Sequence, residues 1–189
     1  MPTEVFPLTL PNMLTVLRIM LVPVLVVALL GNTREGDVFA AIVFAAASVT
    51  DFLDGRLARS RGSITTFGKL MDPLADKLLI VAALLALVSL NRLEAWVAMV
   101  IITRELAVTV LRLGATQAGV VMAASMLGKV KTCLQIALIL ALIAVHGQPL
   151  WVSVLLYATV LVTVVSGLDF FFDLRRQLAR AQQGTRAGG

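Results

Sequence analysis

The sequence predicts an all-α membrane protein, with six transmembrane helices in one bundle and a polar cavity on the cytoplasmic side. Hydrophobic residues make up 59% of the 189 residues, whereas soluble domains contain roughly 45–50%. The apolar runs are each about 20 residues long, the length of a helix that crosses the hydrocarbon core of a bilayer. They lack the segments of about ten alternating residues that form the strands of membrane barrels. These three observations favour a helical bundle in the membrane.

Six apolar segments are expected to cross the membrane, and their limits follow from the turn residues and charges between them. The segments cover 11–30, 37–58, 70–90, 94–112, 127–145 and 150–172. Because the connections are short, consecutive helices are expected to pack against each other. Residues 1–174 thus form one predicted domain, and the basic segment 175–189 is expected to be a flexible cytoplasmic tail at the anionic membrane surface.

The basic residues are unevenly distributed between the two sides of the predicted bundle. Lys and Arg near helix ends favour the cytoplasmic side, and placing both termini there leaves only Arg34 and Arg92 on the outer turns. The basic residues then inside are Arg56, Arg59, Arg61, Lys69, Lys129, Lys131, Arg175, Arg176, Arg180 and Arg186. The sequence therefore predicts a multi-pass protein of the cytoplasmic membrane, and no nucleic-acid partner is expected.

The stretch from Thr50 to Lys77 carries four aspartates at the ends of two apolar runs. The first helix expected there places two carboxylates, two small residues and a guanidinium on one face, because the side chains stand three, four, seven and eight positions after the first. These residues are Asp51, Asp54, Gly55, Ala58 and Arg59. The small residues leave room for a bulky group near the backbone, although close helix packing uses them equally.

The second helix of this stretch repeats the pattern, since Gly68, Asp72 and Asp76 are spaced by four. Lone carboxylates are costly at membrane depth, and hard divalent cations such as Mg²⁺ and Mn²⁺ take carboxylate ligands. Carboxylate-held metals beside an arginine are typical of phosphoryl transfer. Two other interpretations remain open on charge alone: ion pairs with the neighbouring basic residues, and a small cation-coupled transporter.

The pattern DxxDGxxARx8Gx3Dx3D, which runs from Asp51 to Asp76, resembles the signature of the CDP-alcohol phosphatidyltransferase family at every position. The resemblance implies an enzyme of phospholipid biosynthesis that transfers a phosphatidyl group from CDP-diacylglycerol to an alcohol and releases CMP. It implies that Asp51, Asp54, Asp72 and Asp76 bind two divalent cations, Mg²⁺ or Mn²⁺, in a cytoplasmic-side active-site cavity. It further implies that Asp76 is the general base and that the protein is a homodimer.

Other positions match the segments with which the family binds CDP-diacylglycerol. The start of the first helix resembles the family's contact with the CDP moiety, and a polar residue follows six positions after Arg59. The resemblance implies that the donor-binding residues are Asn12, Met13, Leu14, Thr15, Gly55, Ala58, Arg59 and Thr65. Apart from the resemblance, Asn12 and Thr15 are also ordinary residues at a helix start after proline.

Four cations on the fourth and fifth segments, Arg104, Arg112, Lys129 and Lys131, predict an anionic acceptor. A bias of basic residues toward the inner side is the alternative for the two lysines. The strings TRE at 103–105, LR at 111–112 and GKVKT at 128–132 with Gln135 resemble the members of the family whose acceptor is sn-glycerol 3-phosphate. Transfer to inositol phosphate, serine or another alcohol remains the alternative.

Overall fold

The computed structural model describes the backbone of residues 10–61, 66–117 and 125–187 and the side chains of Met13, 16–50, 77–117 and 125–179. All regular secondary structure in these ranges is helical, so the predicted all-α class is confirmed. The six helices described there are α1 (Leu10–Leu30), α2 (Arg34–Arg61), α3 (Thr66–Ser89), α4 (Ala95–Gln117), α5 (Met126–Ala144) and α6 (Leu150–Ala187). Each overlaps one predicted segment.

Two of these helices, within the described residues, are long and apolar enough to cross a membrane. They cover Met126–Ala144 and Leu150–Ala179, while Val16–Leu30 and Lys77–Ser89 are shorter apolar stretches. Large apolar side chains also remain exposed on the outside of the chain, as at Val27 and Met99. Such exposure is unusual on a soluble protein and fits helices that face lipid.

The chain divides into two compact units, of which the first contains 1–94 and 139–147. In this unit α1 packs on α2 and α3, and Phe44, Leu25 and Leu84 are completely buried. Ala40 and Ala83 are also fully buried. Their small side chains let the helix backbones approach closely, as is common in membrane helix packing.

The turns of the first unit follow from asparagines that end the preceding helices. Asn32 and Asn91 have positive φ angles of 47° and 55°, a left-handed conformation that asparagine tolerates better than most residues. After Asn91, the amide of Arg92 donates to the carbonyl of Leu87 at 2.9 Å. Thr33 then caps α2, because its hydroxyl accepts from the Gly36 amide at 3.0 Å. These residues set the sharp connections that the sequence predicted.

The second unit contains 95–138 and 148–189, and in it α4 packs on α6. One apolar cluster on these two helices continues toward the C-terminus of α6. Its members are Val108, Ala115, Phe170, Leu174 and the partly buried Leu178. Phe170, Leu174 and Leu178 follow each other at intervals of four, which is one face of a helix.

Helix α6 is longer than the sequence analysis expected, since it continues past 172 to Ala187. Its 38 residues correspond to about 57 Å, well above the roughly 30 Å of a hydrocarbon core. Leu174 is buried and Leu178 packs on the same cluster. The helix thus continues past 172 because its apolar residues continue the helical stripe, and the flexibility of 175–189 stays a prediction.

Candidate active site

The aspartate motif lies on two helices, as its spacing predicted. Asp51, Asp54, Gly55, Ala58 and Arg59 belong to α2, while Gly68, Asp72 and Asp76 belong to α3. Both helices pack against α1. The side chains of 51–76 lie outside the described residues, as does all of Thr65. Binding of metal by these aspartates and the role of Asp76 as base therefore remain predictions.

The segment expected to contact the CDP moiety lies in the first turns of α1. Asn12, Met13, Leu14 and Thr15 all have helical backbone. The side chain of Met13 is exposed, whereas those of the other three lie outside the described side chains. Their contact with the donor remains a prediction.

Two of the four predicted acceptor cations meet at a single buried carboxylate. Glu105, on α4, is 5% exposed, and its Oε1 accepts from Arg104 Nη1 at 3.1 Å. The same oxygen accepts from Lys131 Nζ, on α5. Lys131 is itself only 3% exposed. One buried carboxylate oxygen therefore accepts from a guanidinium and an ammonium group, and it holds these two cations beside each other.

A second contact fixes the other end of the Arg104 guanidinium. Arg104 Nη2 donates to the hydroxyl of Ser166, on α6, at 3.0 Å, and that hydroxyl donates to the Thr163 carbonyl at 3.1 Å. The buried Nε of Arg104 has no hydrogen-bond partner among the described residues. An unpaired buried donor on a charged group is costly, and it is a ready contact for an anion.

Gly167 provides the space that the Arg104 side chain occupies. A Cβ at Gly167 would lie 3.3 Å from Arg104 Cγ, which is tighter than ordinary van der Waals contact, and 3.8 Å from Arg104 Nε. The backbone of α6 thus approaches the arginine closely because residue 167 has no side chain. Gly167 thereby contributes to the position of the guanidinium.

The other two predicted acceptor cations do not join this trio. Arg112 is exposed and its guanidinium lies 5.5 Å from the centre of the Phe170 ring, in cation–π geometry. Lys129 is exposed near the start of α5. Ser125 caps that helix, because its hydroxyl accepts from the Gly128 amide at 3.1 Å. In the part of the chain that the structure describes, no ion pair connects Arg112 or Lys129 to Glu105.

Sequence analysis gave no role to Glu105, Ser166 or Gly167. A signal was present in α6, where Thr159, Thr163, Ser166 and Gly167 stand at positions that share one helical face. Small and polar residues in such a stripe mark close packing and interhelical hydrogen bonds in membrane helices. Their partner helix, however, cannot be read from the stripe itself.

Comparison with known proteins decides the family. The family model described as CDP-alcohol phosphatidyltransferase matches residues 8–165. The chain belongs to this family. The match includes the whole aspartate motif and helices α1 to α5, so the resemblance inferred from the motif is confirmed. CDP-alcohol phosphatidyltransferases are metal-dependent, membrane-associated phosphotransferases.

Two similar proteins are both named CDP-diacylglycerol–glycerol-3-phosphate 3-phosphatidyltransferase. The protein from Bacillus subtilis is 43% identical over 180 residues, which cover 86% of this chain and 93% of that protein. The protein from Rickettsia felis is 34% identical over 168 residues, which cover 86% of this chain and 93% of that protein. The similarity therefore extends over most of the length of both relatives.

The residues of this chain suit the divalent metal that CDP-alcohol phosphatidyltransferases use. Two pairs of aspartates stand on α2 and α3, spaced by three and by four, so each pair shares one face of its helix. Carboxylate oxygens are the preferred ligands of Mg²⁺ and Mn²⁺. Asp51, Asp54, Asp72 and Asp76 are thus the residues that would hold the metal.

Proposed function

We propose that this protein transfers a phosphatidyl group from CDP-diacylglycerol to sn-glycerol 3-phosphate, forming phosphatidylglycerophosphate and CMP. The reaction type rests on the complete aspartate motif within a family match over residues 8–165. The acceptor rests on the names of the relatives, which are similar along most of this chain. This combination is the observation that carries the proposal.

The acceptor phosphate is assigned to Arg104, Arg112, Lys129 and Lys131. Support comes from the trio around Glu105, where Arg104 and Lys131 are held beside each other by one carboxylate oxygen. Arg104 also keeps one buried nitrogen without a partner among the described residues. A guanidinium and an ammonium group are the usual partners of phosphate oxygens in proteins. Arg112 and Lys129, both exposed, add positive charge outside the trio.

The donor is assigned to Asn12, Met13, Leu14, Thr15, Gly55, Ala58, Arg59 and Thr65. Two divalent cations, Mg²⁺ or Mn²⁺, are assigned to Asp51, Asp54, Asp72 and Asp76. When bound there, such cations would neutralise phosphate charge and stabilise the charge on the attacking and leaving oxygens. Gly55 and Ala58 are small enough to leave space at a helix surface, and Arg59 is proposed to bind the diphosphate.

Asp76 is proposed as the general base. Its carboxylate accepts the proton of the acceptor 1-hydroxyl as that oxygen forms a bond to the lipid-side phosphorus of CDP-diacylglycerol. The bond between this phosphorus and the bridging oxygen breaks, and CMP leaves with that oxygen. Arg104 and Lys131 hold the acceptor phosphate, and such positioning lowers the barrier of a reaction between two bound molecules.

The same proposal places six helices across the bacterial cytoplasmic membrane, with the termini and the active-site cavity on the cytoplasmic side. The excess of Arg and Lys at that side supports it, as do the two helices long enough to cross and the apolar side chains exposed outside. A homodimer is proposed from the family resemblance.

The acceptor is tested by competition. Purified protein in detergent receives CDP-diacylglycerol and Mg²⁺, and CMP release is measured with glycerol 3-phosphate, inositol phosphate or serine. Rapid release with glycerol 3-phosphate alone is the expected result. Release with another acceptor only would replace the acceptor assignment, and no CMP release with any alcohol would favour a transporter.

The base is tested with Asp76→Asn, which keeps the size of the side chain but removes its proton affinity. We expect CMP release to fall at least about a hundredfold, the range of general-base contributions, with Mg²⁺ in excess. Asp173→Asn is the matched control, because Asp173 is exposed on α6 outside the motif. Full activity of Asp76→Asn would show that another group takes the proton.

A further inference from the structure

Three contacts join α4, α5 and α6 within the second unit and enclose a layer of polar side chains. Lys131 on α5 reaches Glu105 on α4, and Arg104 on α4 reaches Ser166 on α6. In the third contact, Thr159 Oγ1 on α6 lies at a distance of 3.5 Å from the carbonyl oxygen of Leu134 on α5. A polar layer among apolar helices needs its own hydrogen bonds to be stable.

The next residue on α5, Gln135, is the exception in this layer. It has no exposed surface, and neither Nε2 nor Oε1 finds a hydrogen-bond partner within the described part of the chain. A buried side-chain amide almost always has partners, and an apolar side chain of similar volume would avoid the cost. Gln135 therefore carries one free acceptor and two free donor hydrogens inside the protein.

Thr163 on α6 shows the same property. It is fully buried, and its Oγ1 has no partner among the residues whose side chains are described. One turn earlier, the equally buried Thr159 donates to the Leu155 carbonyl at 2.7 Å. A threonine hydroxyl of this helix can thus donate to the backbone carbonyl four residues earlier, but the hydroxyl of Thr163 does not.

The free groups lie next to the proposed phosphate ligands. Gln135 follows Lys131 by one helical turn on the same face of α5, a rise of about 5.4 Å. The Thr163 carbonyl accepts from Ser166, which in turn binds Arg104. Groups that both donate and accept match a hydroxyl, whereas the guanidinium and ammonium match a phosphate. A three-carbon phosphate ester with a hydroxyl on its central carbon carries both kinds of group.

We propose that Gln135 and Thr163 are specificity-determining residues that bind the hydroxyl of the acceptor that does not react, the 2-hydroxyl of sn-glycerol 3-phosphate. This inference rests on the proposed function and extends it, because the relatives' names and the motif assign no residue to this hydroxyl. The layer then divides recognition in two: Arg104 and Lys131 bind the phosphate, and Gln135 and Thr163 select an acceptor with a hydroxyl on the central carbon.

The first test needs no variant. CMP release by the wild-type protein is compared with sn-glycerol 3-phosphate and with 3-hydroxypropyl phosphate, which lacks only the 2-hydroxyl. A site built to hydrogen-bond a hydroxyl rejects the analogue without it, so we expect kcat/KM for the analogue to be at least about tenfold lower. Equal kcat/KM for the two acceptors would overturn the inference.

The second test uses Gln135→Leu and Thr163→Val, with Thr159→Val as the matched control. We expect the first two variants to unfold at the wild-type temperature or higher, because each loses an unpaired buried group. Their KM for glycerol 3-phosphate should rise about tenfold or more, the usual effect of one lost hydrogen bond to a substrate. Their KM for CDP-diacylglycerol should not change, and their preference over 3-hydroxypropyl phosphate should disappear. Thr159→Val should keep the wild-type preference.

An unfolding temperature at or above that of the wild type, together with an unchanged KM for glycerol 3-phosphate, would overturn the inference. Gln135 and Thr163 would then not contact the acceptor. A wild-type protein that does not use glycerol 3-phosphate would overturn both this inference and the proposed function. A wild-type protein that uses glycerol 3-phosphate, but whose Gln135→Leu and Thr163→Val variants keep its acceptor preference, would overturn this inference alone.

Discussion

Arg92 Nη2 donates to the buried carboxylate of Asp37, with Oδ2 2.9 Å away. The same nitrogen lies 2.6 Å from Asn32 Oδ1, and Arg92 Nη1 donates to the Ile143 carbonyl at 3.3 Å. One arginine after α3 therefore connects the α1–α2 turn, the start of α2 and the end of α5. His146 adds to the group, since its Nε2 lies 2.9 Å from Asp37 Oδ2.

Replacing this arginine should weaken the first unit. Arg92→Met leaves the Asp37 carboxylate, 3% exposed, without its guanidinium, and breaking a buried ion pair costs about 3–5 kcal/mol. We expect a clearly lower unfolding temperature in detergent. The double variant Asp37→Asn with Arg92→Met should recover part of the loss, and His146→Ala should change little because His146 is largely exposed. An unchanged unfolding temperature for Arg92→Met would show that the contact is not stabilising.

Gly36 should not tolerate a side chain. A Cβ there would lie 2.6 Å from the Ala28 carbonyl oxygen, a backbone atom that cannot move by itself. Gly36→Ala is expected to reduce the free energy of unfolding by about 1–3 kcal/mol through overpacking. The control is Gly114→Ala, where the structure leaves open space and helix propensity favours alanine by about 0.5–1 kcal/mol. Thermal unfolding of both variants measures the two changes in stability, which should have opposite signs.

Gly167→Ala should disturb the acceptor site while the fold remains. The new methyl group would push on Arg104 Cγ, 3.3 Å from the added carbon, and shift the guanidinium away from Glu105 and Ser166. Small displacements of positioning groups reduce rates by up to about a hundredfold. We expect a higher KM for glycerol 3-phosphate and an unchanged KM for CDP-diacylglycerol. Equal changes in both values would indicate general damage to the protein instead.

The proposed orientation predicts which positions a membrane-impermeant maleimide can reach. In a Cys133→Ala background, Glu35→Cys marks the predicted outer turn and Gln183→Cys marks the C-terminal end of α6. We expect Glu35→Cys to react in right-side-out vesicles and Gln183→Cys only in inverted ones. The reverse pattern would place the aspartate motif on the outer side.

Much of the fold was available from the sequence because helix location depends on local pattern. Apolar runs of membrane-spanning length predicted all six helices, and asparagine and threonine at the turns explain where α1 and α3 end and α2 begins. The continuation of α6 to Ala187 was not predicted, because its charged residues suggested a tail, while Leu174 and Leu178 continue the apolar stripe. A short apolar stripe among charges is weak evidence in one sequence, and its partner on α4 becomes visible only after folding.

The helices, the aspartate motif and the family can be read from the sequence, because each depends on residue type and spacing along one chain. Three relationships required the folded chain: Arg104 and Lys131 share Glu105, Gly167 makes room for the arginine, and Gln135 and Thr163 are buried without partners in the described residues. These relationships join α4, α5 and α6, and they depend on the rotation and register of packed helices. Spacing within one helix fixes which side chains share a face. Helix packing decides which face of a neighbouring helix those side chains meet.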